Sequence, residues 1–293
     1  MERDIVIVRI WEGLGNQLFQ YSYARALKEN GIDVRLDLKK AYDETFEKDP
    51  RHDVRQATIQ NFNIALPEID VEKYGRYQYI KRDDFRNKFI FQLAAHGLWK
   101  FNFYEEYADK MGTVPQYLSR AAHIAGNYYI KGWFQDERYF RHIRKDLLRE
   151  LTPKRKIKIS QELRQVLENK ESVSVHIRRG DYVKMQSTLD VRYYQKAFAF
   201  MKRQYREPWF LFFSDDLEWV KDTLYVGDRC IYVNEDRKLQ DFEELFIMSK
   251  CKSNIIANSS FSWWGAWLNC NTDKIIIAPK GSGIREQSRM CLL

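Results

Sequence analysis

The segment SVHIRRGDYV combines residue types that bind phosphate at the end of an apolar run. Arg178 and Arg179 carry fixed positive charge on forked guanidinium groups, whose donors match phosphate oxygens. Gly180 would let the backbone approach a ligand closely, and His176 alternates with Arg178 along the extended chain. These residues predict a phosphate-binding site. One alternative stays open, in which an arginine, Arg179 in particular, forms a structural ion pair with Asp181.

The segment FFSDD places three polar residues directly after another apolar run. Three roles fit Ser214, Asp215 and Asp216: the N-cap of a helix, a metal site, or a carboxylate that accepts hydrogen bonds from a base or ribose. The DxD pattern typical of metal-dependent nucleotide-sugar enzymes is absent from the sequence. Since arginines can replace a cation at phosphates, a metal is the least favoured role, and we predict none.

The segment NIIANSSFSWWGAWL reads as a buried strand that ends in polar residues before a helix. Asn258, Ser259, Ser260 and Ser262 place an amide and hydroxyls where a helix begins with free backbone N–H groups. Such a helix start predicts an anion site without a lysine. The three tryptophans of this segment recur at helical spacing, which favours packing over stacking on a ligand.

The segment EGLGNQLFQYSYARAL follows a strand and begins a helix, as a phosphate-binding turn does. Gly13 and Gly15 form only part of a dinucleotide fingerprint, because Asn16 and Gln17 stand where its third glycine is expected. A tight turn explains both glycines without a ligand. The two amide side chains nevertheless suggest contact with a substrate.

The elements that position these residues alternate between strands and helices. Five short β-branched or aromatic runs in the second half, VSVHI, FLFF, CIYV, NIIA and IIIA, are separated by segments with helical period. This alternation predicts right-handed crossovers and a parallel sheet covered on both faces. The first half begins with the strand IVIVRI and a helix, and ends with the strand in GNYYIKGWF and a helix from about Asp136. We expect helices and long loops over residues 43–113, and domains of residues 1–155 and 156–293.

Composition and charge set the broad class. A chain of 293 residues with 44% hydrophobic content fits two compact domains. No run reaches the roughly 18 to 20 apolar residues of a membrane helix, and the start lacks a secretory signal, so we expect a soluble cytoplasmic protein. The four cysteines form no CxxC pair, which predicts reduced thiols.

The net charge of +8 favours anionic partners. Eight lysine and arginine residues lie between Arg141 and Lys158, and either form a solvated helix end and linker or contact an anionic membrane face. Because the basic residues cluster instead of alternating with aromatic residues over one surface, we expect no nucleic-acid binding.

Taken together, the motifs resemble those of the bacterial α-1,2-fucosyltransferases of glycosyltransferase family eleven. GLGNQLFQYSYARAL, GWFQDERYF, HIRRGDYV, FFSDD and NIIANSSFSWWGAWL occur in the family's order and span Gly13 to Leu268. The resemblance implies a GT-B fold of the α/β class, with two facing Rossmann-like domains, parallel sheets and the nucleotide held mainly by the C-terminal domain. It also implies metal-independent, inverting transfer of fucose from GDP-fucose, without a cofactor. The implied acceptor is the 2-hydroxyl of a terminal galactose on an oligosaccharide or glycolipid.

The resemblance also implies roles for individual residues. Arg178 is expected to neutralise the β-phosphate as GDP leaves, His176 to seat the nucleotide, and Asp215 to bind guanine or its ribose. Asn16 and Gln17 are expected at the transferred sugar and acceptor. The expected donor-binding set is Gly15, Gln17, Arg179, Asp181, Asp215, Asn258, Ser259, Ser260, Phe261 and Ser262.

The resemblance leaves the roles of two residues on the acceptor side, Asp190 and Glu12, unassigned. Asp190 is a candidate base for the acceptor's proton, but its place before a helix that bears Tyr193 and Tyr194 favours an N-cap. The resemblance also implies that Glu12 occupies a position where the family often has glycine.

Overall fold

A computed structural model describes residues 5–38, 57–69, 101–105, 127–236, 238–281 and 290–293. The chain divides into two compact units between Glu150 and Leu151, close to the boundary predicted near residue 155. The segment Thr58–Asn63 belongs to the second unit, although the division into two sequential halves places it in the first. Most of the expected helices and loops of residues 43–113 lie outside the described residues.

The first unit contains a sheet of four parallel strands in the order β2-β1-β4-β3. The strands are β1 Ile5–Arg9, β2 Asp33–Asp37, β3 Phe101–Glu105 and β4 Asn127–Lys131. The predicted strands β1 and β4 are confirmed, and the structure makes them neighbours at the centre of the sheet. Strand β2 was not predicted, although the alternation in DVRLD is a strand signal. Strand β3 lies where helices and loops were expected.

Helix α1, Leu14–Glu29, follows β1 and buries the predicted stripe of Phe19, Tyr23, Ala26 and Leu27. After β4 the chain forms two 3-10 turns, Glu137–Tyr139 and Arg141–Ile143, before helix α2, Arg144–Glu150. The helix predicted from about Asp136 therefore starts later, although Asp136 does cap the first turn through the backbone N–H of Arg138.

The second unit contains a sheet of six parallel strands in the order β10-β9-β8-β5-β6-β7. The strands are β5 Ser172–Ile177, β6 Trp209–Ser214, β7 Cys230–Tyr232, β8 Ser253–Ile255, β9 Ile276–Ala278 and β10 Met290–Leu292. The helices are α3 Gln161–Asn169, α4 Gly180–Lys184, α5 Val191–Gln204, α6 Leu217–Thr223, α7 Asp241–Lys250 and α8 Ser260–Leu268. All five predicted apolar runs form strands, and β10 is an addition to the prediction.

Packing on both faces of this sheet confirms the predicted layering. Along β6, Phe210 and Phe212 pack into one core cluster, with the buried stripe of α5. Leu211 and Phe213 pack into the other cluster, beside α3 and α7. Successive residues of a strand point to opposite faces, so a continuous apolar run such as β6 requires cover on both sides. No helix of the described residues is both long and apolar enough to cross a membrane.

Candidate active site

Three of the predicted motifs meet at the carboxyl edge of the second sheet. The segment with Arg178 follows β5, the segment with Asp215 follows β6, and the segment with Ser260 follows β8, and β5 pairs with both β6 and β8. The strand order reverses direction between β5 and β8. In open parallel sheets, the crevice at such a reversal is where ligands bind.

Arg178 is held between two carboxylates. Its Nη2 lies 2.5 Å from Oδ1 of Asp181, and its Nη1 lies 2.7 Å from Oδ2 of Asp215. The guanidinium carbon also lies 5.6 Å from the ring centroid of Tyr182. The side chain is largely buried, so these contacts fix the guanidinium before any ligand arrives. The structural ion pair with Asp181, predicted mainly for Arg179, is therefore made by Arg178.

Arg179 has a different partner. Its Nε lies 2.9 Å from Oδ2 of Asp216, and its guanidinium stacks 3.9 Å from the ring centroid of Trp219. Asp216 is the N-cap of α6 and accepts from the backbone N–H of Trp219, which confirms the N-cap role among the three considered for FFSDD. The hydrogen bond from Arg179 lowers the pKa of the Asp216 carboxyl. Arg179 therefore connects the segment after β5 to the segment after β6 through an ion pair and a cation–π contact.

Asp215 connects the segments after β5 and β6. Its Oδ1 accepts from the backbone N–H of Arg179 at 2.9 Å, while Oδ2 pairs with Arg178. A Cβ atom at Gly180 would lie only 2.7 Å from the same Oδ2. The close approach that glycine permits here is therefore that of Asp215, where we expected a ligand. Both oxygens of Asp215 already bind protein groups, which favours a role in positioning Arg178 over the expected role at guanine or ribose.

His176 is buried, with 6% of its surface exposed. Burial, followed by the nearby charge of Arg178, lowers the pKa of its imidazole from 6.5 to about 3, although Asp215 acts in the opposite direction. Within the part of the chain that the structure describes, Nδ1 has no hydrogen-bond partner. The Phe261 ring lies 5.5 Å away between centroids. A neutral imidazole with one unused polar atom therefore lies beside the arginine.

Most polar side chains of the loop after β8 form hydrogen bonds to backbone groups of this loop and of neighbouring segments. Ser259 caps α8 by accepting from the backbone N–H of Phe261. The Ser262 hydroxyl accepts from the N–H of Ala257 and donates to the carbonyl of Ser259. Asn258 donates to the carbonyl of Ser187 at 2.9 Å. These bonds hold the first turn of α8, which leaves backbone N–H groups for an anion.

The tryptophans of α8 confirm the packing interpretation. Trp263, Trp264 and Trp267 are each at most 2% exposed, and their ring centroids lie 5.0 to 6.3 Å apart. They anchor α8 in the core and so position its N-terminus.

In the first unit, the loops after the neighbouring strands β1 and β4 are joined by a polar cluster. Asn16 donates to the Glu12 carboxylate and accepts from Nε2 of Gln135 at 2.7 Å. The indole of Trp133 donates to the same Glu12 oxygen at 2.9 Å. Glu12 has a φ of 64°, a backbone conformation that favours glycine. The bonds fix the orientation of the Asn16 amide.

Gln17 and Gly15 are buried in the first turn of α1. Gln17 has no exposed surface, and its amide donates to the carbonyl of Glu12 at 2.7 Å. Its side chain therefore supports the turn, and burial leaves no surface for the expected contact with a sugar.

The structure confirms the predicted role of Asp190 as an N-cap. The residue is the exposed N-cap of α5, and its carboxylate accepts from the backbone N–H of Arg192 at 2.7 Å. This contact explains the residue without a catalytic function. Its assignment as a base stays a prediction.

Sequence reasoning missed Glu244, a partly buried residue of α7. The pKa of its carboxyl is raised from 4.5 to about 7. Burial is the largest cause, the negative charges of Asp241 and Asp215 act in the same direction, and a hydrogen bond from Asn234 acts against them. Its position in an ordinary amphipathic helix gave no motif that could have revealed it. Glu244 therefore adds a carboxylate near Asp215.

The sequence analysis predicted no metal site, and it identified a basic segment between Arg141 and Lys158. Over the described ranges, no group of three or more His, Cys, Asp and Glu residues is arranged to hold a metal ion. The basic segment borders a groove of about 710 Å³. Its cationic walls are Lys154, Arg155, Lys156, Arg164 and Lys250. Arg155 lies 3.3 Å from the Glu243 carboxylate and packs on Phe242, so part of this segment is structural.

Comparison with known proteins gives a family match. Residues 87–287 match the family described as Glycosyl transferase family 11. The chain is 30% identical to the O-antigen biosynthesis glycosyltransferase WbnK of Escherichia coli, over 92% of this chain and 91% of the relative. It is 32% identical to an alpha-1,2-colitosyltransferase of Escherichia coli, over 94% and 91%. A galactoside 2-alpha-L-fucosyltransferase SEC1 of Bos taurus is 25% identical, over 50% of this chain and 44% of the relative. The resemblance drawn from the five motifs is confirmed.

Solved structures show the same fold. NodZ alpha-1,6-fucosyltransferase soaked with GDP-fucose aligns with a TM-score of 0.50 at 13% identity, over 97% of this chain and 98% of the other. A mutant of Arabidopsis thaliana FUT1 in complex with GDP aligns with a TM-score of 0.52 at 10% identity, over 99% and 72%. The predicted GT-B fold class is confirmed.

Proposed function

The chain belongs to glycosyl transferase family 11, and from that premise we propose that it transfers fucose from GDP-fucose to the 2-hydroxyl of a terminal β-galactoside, forming an α-1,2 linkage. The observation that carries the proposal is the fixed guanidinium of Arg178, which is held by Asp181 and Asp215 at the end of β5. Arg178 directly follows β5, which pairs with β8, and the loop after β8 leads into the N-terminus of α8. A permanent cation and a helix N-terminus suit a diphosphate.

The transfer requires stabilisation of charge on the leaving diphosphate. The galactose oxygen forms a bond to the anomeric carbon of fucose while the bond from that carbon to the β-phosphate oxygen breaks. The products are an inverted fucoside, GDP and the proton released from the hydroxyl. Donors that are fixed in advance at the developing charge contribute most to lowering such a barrier. Arg178 meets this requirement because its two carboxylate partners leave other N–H groups for phosphate oxygens.

The neutral His176 and the α8 N-terminus complete the proposed nucleotide site. We assign Ser260 and the N-terminus of α8 to the diphosphate, and the Asn16 amide in the first unit to the sugar or acceptor. We expect no metal requirement, because Arg178 supplies the positive charge. Asp190 is kept only as a candidate base.

A second donor is favoured by one comparison. The relative that is 32% identical is named an alpha-1,2-colitosyltransferase, and colitose is fucose without its 3-hydroxyl. GDP-colitose would use the same diphosphate site, so the choice between the two sugars depends on contacts with that hydroxyl. The remaining alternative is that the enzyme uses another GDP-sugar as its donor, or that it transfers fucose with a different linkage.

The acceptor is proposed from the same relatives. WbnK is named for O-antigen biosynthesis, and we propose a galactose-terminated oligosaccharide or glycolipid of a cell-surface glycan. Location in the cytoplasm and peripheral contact with the membrane through the basic segment are further predictions.

The test is acceptor-dependent release of GDP from GDP-fucose, with lactose as the acceptor and with EDTA present. Release that needs lactose and survives EDTA supports metal-independent fucosyl transfer, and the linkage of the product then decides between α-1,2 and other positions. Release without lactose means hydrolysis alone. A parallel series with GDP-colitose and GDP-mannose measures donor choice: faster turnover of either would overturn fucose as the natural sugar.

A further inference from the structure

The groove beside the basic segment, in the second unit, combines an apolar lining with basic walls. Its volume of about 710 Å³ lies within the range of roughly 300 to 1,000 Å³ in which proteins bind small molecules. Its apolar side chains come from α3, from α7 and from the segment before α3: Ile157, Ile159, Leu167, Phe246 and Ile247. Its basic side chains are all exposed: Lys154, Arg155, Lys156, Arg164 and Lys250. We refer to the site formed by these ten residues as the basic groove.

The basic groove is separate from the candidate active site. Leu167 lies in the last turn of α3, which leads into β5, and Lys250 is the last residue of α7, which leads into β8. These residues therefore lie toward the starts of two strands, whereas Arg178 and α8 follow the ends of the same strands. A molecule in the groove leaves the proposed nucleotide site open.

The wall formed by residues 152–160 is fixed although it is not helical. The backbone N–H of Lys154 donates to the carbonyl of Asn61 at 2.8 Å. Further along, Ile157 and Ile159 are half-buried and pack on the core cluster beside α3 and α7. The lysines between and before them are exposed, which is the alternation of an extended amphipathic segment. The groove therefore exists before a ligand arrives.

Most of the positive charge in the basic groove is not neutralised by the protein. Arg155 pairs with the Glu243 carboxylate at 3.3 Å, whereas the other four basic side chains form no ion pair within the ranges that the structure describes. Lys250 is fixed by its contact with Phe246, whose ring centroid lies 4.4 Å from Nζ. One carboxylate, Glu168, is among the described residues that line the groove. The groove therefore presents an excess of unpaired cations beside an apolar surface.

An anionic amphiphile matches both parts of this surface. Its phosphate would interact with the lysine and arginine side chains, and its hydrocarbon would cover the apolar lining. A free phosphate would leave the apolar lining in water, and an uncharged hydrocarbon would leave the cations without a counter-charge. The charge and the apolar lining together therefore favour a lipid with an anionic headgroup.

We propose that the basic groove binds an anionic phospholipid and thereby docks the second unit on an anionic bilayer. The phosphate lies at Lys154, Lys156 and Arg164. Part of an acyl chain lies along Ile157 and Leu167. The choice of a bilayer over an acidic partner protein rests on the proposed function, because a glycolipid acceptor lies in a membrane.

The first test measures binding to vesicles of phosphatidylcholine alone and to vesicles of an equal mixture of phosphatidylcholine and phosphatidylglycerol, by co-sedimentation. The wild type should bind only the mixed vesicles, and more weakly as the salt concentration rises. The groove variant carries Lys154→Gln, Lys156→Gln and Arg164→Gln. It should bind the mixed vesicles about 100-fold more weakly, since each basic residue near an anionic surface contributes roughly fivefold.

A matched control variant removes the same charge from the opposite face of the sheet. It carries Lys196→Gln, Arg203→Gln and Arg206→Gln, which are exposed residues of α5 and of the segment after it. Helix α5 packs on one core cluster, and α3 and α7 pack on the other. The control should bind vesicles like the wild type. Thermal unfolding confirms that both variants fold, and both should release GDP from GDP-fucose with lactose at the wild-type rate when vesicles are absent.

The second test examines the apolar lining with soluble molecules. Calorimetry compares monomeric dihexanoyl phosphatidylglycerol, which has short acyl chains, with glycerol 3-phosphate, which has none. The wild type should bind the lipid at least about tenfold more tightly. Ile157→Ser keeps every charge but removes part of the apolar lining, so it should weaken lipid binding about three- to tenfold and leave glycerol 3-phosphate binding unchanged.

Three results would overturn the proposal. Equal loss of vesicle binding in the groove variant and in the control would mean adsorption through net charge alone. Equal affinity for dihexanoyl phosphatidylglycerol and glycerol 3-phosphate would mean an anion site without an acyl chain. If the wild type ignores the mixed vesicles at low salt, the occupant is not a bilayer, and an acidic helix of a partner protein would be tested next. Failure of the proposed transfer is distinguishable, because it abolishes GDP release with lactose without changing vesicle binding.

Discussion

Acidification tests the environment of His176. Its pKa is about 3 in the folded protein and 6.5 when exposed. On going from about pH 7 to about pH 5, the unfolded chain takes up most of a proton at this histidine and the folded chain takes up almost none. Because the pKa of His176 is lower in the folded protein than in the unfolded chain, its contribution to stability is present above the pKa of the unfolded chain and is lost as the pH falls. The loss over this interval is about 2 kcal/mol in the free energy of unfolding.

Glu244 acts in the opposite direction over the same interval. Its folded pKa of about 7 exceeds its ordinary value of 4.5. A raised folded pKa gives stability that is full below the unfolded value and lost as the pH rises. Acidification from about pH 7 to about pH 5 therefore stabilises the protein by about 2 kcal/mol through Glu244. The two contributions nearly cancel in the wild type, and single substitutions should separate them.

The assay is urea unfolding at both pH values, followed by tryptophan fluorescence, which includes the buried tryptophans of α8 in the same unit. Relative to the change in the wild type, His176→Gln should gain about 2 kcal/mol on acidification, and Glu244→Gln should lose about 2 kcal/mol. His142→Gln removes an exposed histidine and should follow the wild type. Measuring differences from wild type cancels the other titrating groups. If His176→Gln also follows the wild type, the histidine is hydrated in the folded state and the reasoning is refuted.

Three further substitutions test the loop after β5, which contains Arg178 and Gly180, and the loop after β1, which contains Glu12. Arg178→Lys keeps a charge between the carboxylates but loses the fork, so turnover should fall about 10² to 10³-fold with folding intact; near-normal initial rates would contradict its role at the diphosphate. Gly180→Ala places a Cβ against the fixed oxygen of Asp215 and should lower the free energy of unfolding by about 1 to 3 kcal/mol, whereas unchanged urea unfolding would mean that Asp215 moves freely. Glu12→Gly relieves roughly 1 to 2 kcal/mol of left-handed backbone strain but releases the Asn16 amide. It should raise the KM for the acceptor and leave GDP affinity unchanged, and a loss of GDP affinity would disprove this division of roles.

Local patterns made much of the fold predictable. Four of the five apolar runs of the second half are buried on both faces of a parallel sheet, and the edge strand β7 is half-buried, so each run was recognisable as a strand from its own residues. The stripe of α5 and the N-cap Asp190 followed from spacing and residue type, whereas the N-cap at Asp216 was one of three roles that the sequence left open for FFSDD. Strands β2 and β10 were missed, because the alternation in β2 covers only five residues and β10 has only three residues.

The sequence by itself determined which residue types stand at strand ends and helix starts, because backbone preference and apolar periodicity act over a few neighbouring positions. It therefore predicted the α/β class and the three segments that meet at the second sheet. Tertiary structure alone decided how their charges pair: Arg178 with Asp181 and Asp215, and Arg179 with Asp216 and Trp219. Ion pairs and burial depend on which distant segments the strand order brings together. For the same reason no local pattern marked Glu244, whose raised pKa comes mainly from burial, with added contributions from the charges of Asp241 in the same helix and of Asp215 after β6.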